Sequence, residues 1–255
     1  MVKITFLNCQ FKTFGALLSI VVAPSVLIVV TFYYLKSEID IFKMINFKYF
    51  DFKIIKNLAS FSAMALVSAI FCPIVYLAIR QNIIRNLGLE QAGFFETISR
   101  ISTYYLLFVT TILTVYYLPK LIFAKTEFET KKVFYNYYQY IFTSFLIGAI
   151  VIYLSRFVII DLLFTEAFAP VTNLFFWQLV GDVFKVASFV LGFNFFAKKL
   201  TTAFIVAELS SLVFLYFITI YCINRFAVEG AVVAYAVENF IYFIALAIYF
   251  RKSLL

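Results

Sequence analysis

Any chemistry in this chain of 255 residues has to come from a few ionisable side chains set inside apolar runs. The run Val171 to Ala197 carries Asp182 and Lys185, Leu200 to Asn224 carries Glu208, and Gly230 to Phe250 carries Glu238. Asp182 and Lys185 are three apart, so on a helix they share a face and can pair. At 3.6 residues per turn the same face collects Gln178, Gly181, Ser188 and Gly192. The next run repeats the theme with Thr201, Ser211 and Thr219 beside Glu208, and Glu238 shares its face with Ala231, Tyr235, Tyr242 and Ala245. Further upstream, Ser99, Thr103, Thr110 and Thr114 form one more stripe, extended by Glu96.

An Asp or Lys at the centre of a membrane helix costs ~2.5–3.5 kcal/mol on insertion scales. Such residues are therefore expected to face protein or a wet cavity. Four helices with one polar stripe each suggest a common hydrophilic cavity. The same residues would also serve as hydrogen-bonded contacts between helices, with Asp182 and Lys185 only neutralising each other. For that pair the two readings stand level. Glu208 and Glu238 have no cation one turn away, which favours a coupling or substrate role. Arg80 and Arg85, at the end of another apolar run, read either as interfacial snorkelling residues or as diphosphate ligands at a cavity wall.

Other chemistries are excluded by composition. There is no histidine, so His-ligated zinc sites and Ser-His-Asp hydrolysis lack their central residue. Cys9, Cys72 and Cys222 have no C-x-x-C spacing, and a thiol in an apolar run behaves as a small hydrophobe. Neither a metal nor a cofactor is expected. The net charge of +8 is spread in short clusters between apolar runs, a pattern of membrane topology rather than of a nucleic-acid groove.

The elements that must position these residues are helices. The sequence is 65% hydrophobic and 13% charged, against about 25% charged for a soluble domain. The fold class is therefore an all-α polytopic membrane protein. Uncharged runs span Thr13 to Leu35, Asn57 to Ile79, Ile101 to Pro119 and Val133 to Ser155. At ~1.5 Å per residue each can cross a hydrocarbon core of ~30 Å. With the three charged runs this predicts seven spans. Five lysines between Lys36 and Lys56, four between Lys120 and Lys132, Lys198-Lys199 and Arg251-Lys252 fall on one side of a seven-span zigzag. The positive-inside rule then puts the C-terminus in the cytoplasm and the N-terminus outside. The opening MVKITFLNCQFK does not read as a signal peptide, and an N-out start of this kind leans toward a fragment whose earlier spans lie elsewhere. Tyr135, Tyr137, Tyr138 and Tyr140 crowd one span end as an interfacial belt would. The aromatic-rich loop Lys36 to Lys56 reads as a positive-inside loop or an interfacial amphipathic helix, and Pro24, Pro73 and Pro119 as kinks or helix ends.

Several segments also carry a resemblance. FSAMALVSAIFCPIVYLAIRQNIIRNLG (Phe61 to Gly88), AGFFETISRISTYYLLFVT (Ala92 to Thr110), VYYLPKL (Val115 to Leu121) and above all LFFWQLVGDVFKVASFVLGF (Leu174 to Phe193) resemble Wzx-type flippases. These are the O-antigen and enterobacterial-common-antigen translocases of the polysaccharide branch of the MATE-like exporter superfamily. The likeness implies about a dozen helices in two lobes across a central cavity. Residues 1–56 would be the last helix of the first lobe plus a cytoplasmic linker, and 57–255 the six-helix second lobe.

What the resemblance implies is a transporter of the bacterial inner membrane and not an enzyme. It would translocate undecaprenyl-diphosphate-linked oligosaccharide by alternating access, coupled to a proton or a sodium ion. Partners would be that lipid-linked glycan, membrane lipids and a separate N-terminal lobe or other polysaccharide-assembly proteins, with no nucleic acid. Arg80, Arg85, Gln178, Lys185 and Ser211 are the expected substrate contacts, and Asp182, Glu208 and Glu238 the expected coupling residues. The alternatives are a membrane glycosyltransferase or polymerase using Asp161 and Glu166, and an inactive remnant.

Overall fold

The computed structural model of the chain describes residues 12–38 and 52–251. It falls into two compact units, Met1–Ile54 and Ile55–Leu255. In the first, the described element is α1 (Lys12–Glu38), a helix that carries Pro24 inside it and an apolar stretch over Pro24–Tyr34. The loop between Lys36 and Lys56, read from sequence as a possible amphipathic helix, lies for the most part outside the described residues, as do Lys3 and Cys9.

The second unit is built from long helices. α2 (Phe52–Leu87) carries Pro73 inside it, and a single-residue break at Gly88, φ 93°, leads into α3 (Leu89–Phe123). A π-helical turn at Leu113–Tyr117 precedes Pro119. Proline offers no N–H and crowds the carbonyl four residues back, and the wider turn falls where that strain arises. α4 (Glu127–Leu154) starts at a capping box: Thr126 Oγ1 accepts from the Glu129 N–H at 3.2 Å, and the Glu129 carboxylate accepts from the Thr126 N–H. Two of the four free amides at that helix start are thereby satisfied. α5 (Arg156–Leu163) is short. A 3₁₀ stretch, Glu166–Leu174, then leads into α6 (Phe175–Ala197). A tight turn at Lys199, φ 54°, with Leu200 N–H donating to Phe195 C=O, passes the chain to α7 (Thr201–Tyr249).

Five described helical segments are long and apolar enough to cross a membrane, α7 being the longest. α7 holds two of the spans read from the sequence. Its backbone leaves helical geometry at Phe226 and Ala227, dividing it into limbs 201–225 and 228–249. The limbs close tightly: a Cβ on Gly230 would stand 2.2 Å from the Cys222 carbonyl oxygen, so no side chain fits there.

α6 is the hub. Sixty-one per cent of its apolar window is buried, against 11–28% for the other four spans. Large apolar side chains elsewhere, such as Phe108 (74% exposed) and Leu162 (80% exposed), point outward, as suits hydrocarbon in place of water. The core forms two clusters. One gathers around Ile83, Ile98, Val171 and Phe175, the other around Met64, Leu113, Tyr137 and Val190. On α6, Leu179 belongs to the first and Val186 to the second. Asp182 and Lys185 fall between them.

The tyrosine cluster on α4 differs from its expected role as a belt. Tyr135 and Tyr140 are exposed, but Tyr137 is fully buried. The π-helical turn Tyr137–Phe142 widens the helix here. Tyr137 donates to the Val186 carbonyl at 2.7 Å and Tyr138 to the Ala187 carbonyl at 2.8 Å. Two of the four tyrosines therefore clamp α4 to α6 rather than mark the membrane surface.

Candidate functional site

The polar face of α6 comes from its periodicity, and the helices around it decide what each residue meets. Asp182 is completely buried. Its Oδ1 accepts from Ser102 Oγ at 2.8 Å and Tyr235 Oη at 2.7 Å, and its Oδ2 from Tyr105 Oη. Three hydroxyls, two from α3 and one from the second limb of α7, thus hold a carboxylate that burial would otherwise make costly. Gly181 makes room for this: a Cβ there would lie 2.5 Å from the Tyr235 ring. The Asp182–Lys185 ion pair that the spacing allowed does not form, and the carboxylate oxygens are engaged by hydroxyls instead.

Lys185, freed from that pairing, has no ion-pair partner among the described residues. Its Nζ lies 5.2 Å from the centre of the Tyr235 ring, a cation–π distance. It lines two cavities at once. The larger, about 520 Å³, is walled by α2, α3, α6 and α7, and includes Glu96, Ser99, Thr103, Gln178 and Thr219. The smaller, about 290 Å³, includes Ser68, Ser188, Glu208, Ser211 and Glu238. Cys72, Tyr76, Lys185, Leu215 and Tyr235 belong to both walls. In the smaller cavity each carboxylate takes a serine: Ser68 donates to Glu208 at 3.2 Å, and Ser211 donates to Glu238 across the two limbs of α7. Ser60 and Thr201 join α2 to the start of α7.

Among the expected substrate contacts, Gln178 and Lys185 meet at the larger cavity, and Lys185 and Ser211 at the smaller. Arg80 instead pairs with Glu96 at 3.7 Å, and Glu96 also holds Arg100 at 2.6 Å. Arg85 sits exposed near the end of α2 and belongs to neither wall. Arg100 does line the larger cavity. Of the α3 stripe, Ser99 and Thr103 reach that wall, but Thr110 and Thr114 do not. Thr110 donates to the Leu106 carbonyl and Thr114 to the Thr110 carbonyl, one turn back. A threonine on a helix satisfies itself this way without any cavity.

Sequence reading missed Ser102 and Tyr105, the α3 donors to Asp182. They lie three apart on the face that also carries Leu106 and Val109, both buried. That spacing was the available signal, but it merges with an ordinary apolar face. Asp161 and Glu166 border a separate hollow of about 210 Å³. Among the described residues no group of three His, Cys, Asp or Glu gathers where a metal could be held.

No protein-family model matches the chain, and no solved structure matches it. Curated relatives do. Over 187 residues, 73% of its length, the chain is 29% identical to a protein of Escherichia coli (strain K12) named lipid III flippase. It is equally similar to the lipid III flippase of Shigella flexneri. In both cases the match takes in 45% of the relative, so the chain spans less than half the length of the curated proteins it resembles.

Proposed function

We propose that the chain is the second lobe of a flippase for lipid-linked oligosaccharides, with undecaprenyl-diphosphate-linked O-antigen or a related glycan as substrate. Residues 57–255 would be the lobe and residues 1–56 the last helix of a first lobe with its linker. The remaining first-lobe helices would come from further sequence or from a separate polypeptide. The observation that carries this reading is a cavity of about 520 Å³ among the polar faces of four membrane helices, with one lysine, Lys185, that forms no ion pair among the described residues. The similarity to proteins named lipid III flippase supports it.

The physical case is one of desolvation. Carrying a sugar head group with two phosphates through bare hydrocarbon strips its hydrogen bonds at several kcal/mol per group. A cavity lined by hydroxyls, an amide and a fixed cation lowers that cost while the lipid tail stays in the bilayer. In this scheme Lys185 draws the diphosphate, helped by the arginines on Glu96 at the cavity edge. Glu208 and Glu238, both on the smaller cavity with Lys185 between them and the larger one, exchange a proton or sodium ion during alternating access. Asp182, its oxygens engaged by three hydroxyls, acts as the fixed anchor. Placement in the bacterial inner membrane with a cytoplasmic C-terminus belongs to the same proposal.

The test is reconstitution of the full gene product into vesicles loaded with a fluorescent polyprenyl-diphosphate oligosaccharide. Faster exposure of the glycan to an external glycosidase, with no change in glycan size, is the expected result. A change in glycan size would favour a transferase or polymerase, and no acceleration at all would count against transport.

A further inference from the structure

We infer that the larger cavity takes one sugar ring of the glycan, and that Thr219, with Gln178, is the side chain that recognises its hydroxyls. This deepens the flippase reading and rests on it. Thr219 lies on the first limb of α7, is 1% exposed, and lines the cavity. Its hydroxyl has no hydrogen-bond partner among the described residues. Four of the five threonines of α3, by contrast, donate to a carbonyl one turn back, and among the described residues the other buried side chain left without a partner is Asn194. An unpaired buried hydroxyl needs a reason, and a ligand hydroxyl supplies one.

Gln178 points to the same ligand. It is buried, lines the same wall, and its amide nitrogen reaches Asp182 only at 3.5 Å, the outer limit of a hydrogen bond. Its Oε1 accepts no hydrogen bond among the described residues, so the amide offers both a donor and an acceptor. Tyr76 and Tyr235 add aromatic surface to that wall. Two sparsely engaged polar groups beside aromatic rings suit a molecule with hydroxyls at its rim and C–H groups on its face. The volume fits a pocket for one small ligand rather than for a whole oligosaccharide. A bare anion would need only Lys185 and would leave Thr219 and Gln178 unused.

The experiment uses the full chain in detergent and a soluble oligosaccharyl diphosphate without its lipid tail, with affinity read by calorimetry. Thr219→Val keeps the shape and removes the hydroxyl, and should weaken binding about tenfold, equivalent to ~1.4 kcal/mol. Thr219→Ser keeps the hydroxyl and should bind within twofold of the parent. Heat stability of Thr219→Val should not fall, since it removes an unpaired buried group. Should the valine variant not fold, Gln178→Met carries the same expectation. Equal affinity in the parent and the valine variant, or no binding by the parent, would overturn the inference. The flippase reading is judged apart from this by the vesicle assay on the parent protein: a parent that binds the sugar but does not flip it fails there alone.

Discussion

The hydroxyl cage around Asp182 makes a quantitative prediction. Tyr235 donates at 2.7 Å to Oδ1 of Asp182, which is completely buried. A hydrogen bond to a charged group contributes ~1.5–3 kcal/mol net. Tyr235→Phe keeps the ring against Gly181 and removes the donor alone, so it should cost about that much stability. In an Asp182→Leu background the acceptor is already gone, and the same change should cost close to nothing. The difference is the coupling energy of a double-mutant cycle. The single tryptophan, Trp177, sits on α6 five positions before Asp182 and is 40% exposed, which makes it a local reporter of unfolding by SDS in mixed micelles. A coupling of at least ~1.5 kcal/mol is expected. Additive effects, with coupling under ~0.5 kcal/mol, would show that the cage does not tie α6 to the second limb of α7.

Three further outcomes follow from backbone geometry and accessibility. Gly230→Ala should be worse tolerated than Gly181→Ala, because the first meets backbone atoms at 2.2–2.7 Å, whereas the second meets the Tyr235 side chain at 2.5 Å and backbone only at 3.1 Å; yields of folded protein after detergent extraction check the order. Ala227 holds φ 50° and ψ −138°, a region almost reserved for glycine that costs ~1–3 kcal/mol, so Ala227→Gly should raise stability by about 1 kcal/mol in the same SDS titration, and an unchanged or lower midpoint would refute the strain. With Cys9 replaced by Ser, Cys72, on the wall of both cavities, should react with a small charged methanethiosulfonate faster than buried Cys222; equal rates would mean that water does not reach the cavities.

Much of this arrangement was legible in the sequence because a membrane helix must exclude charge for about twenty residues. Charged residues therefore punctuate the spans. The α6 face could be read for a similar reason: a 3.6-residue period puts Gln178, Asp182 and Lys185 on one side whatever surrounds them. Periodicity does not say which helix comes opposite. The donors to Asp182 lie 77, 80 and 53 residues away in the chain, and a partner three positions along was the nearest visible candidate. Tyr137 and Tyr138 were hidden by a local cause. The π-helical turn at Tyr137–Phe142 breaks the 3.6 period that would have placed them. Arg225 to Glu229 fell between two of the spans read from the sequence, and the structure turns there by only two non-helical residues, Phe226 and Ala227.

Lys185 is where the account is most exposed to a single measurement, the flipping rate of the reconstituted protein with lipid-linked oligosaccharide, compared among parent, Lys185→Arg and Lys185→Ala. Removal of a charge-assisted contact of ~1.5–3 kcal/mol predicts at least tenfold slower flipping for Lys185→Ala, with much of the rate kept by Lys185→Arg. Parental flipping by Lys185→Ala, in protein shown to be folded, would contradict the assignment of the diphosphate to Lys185.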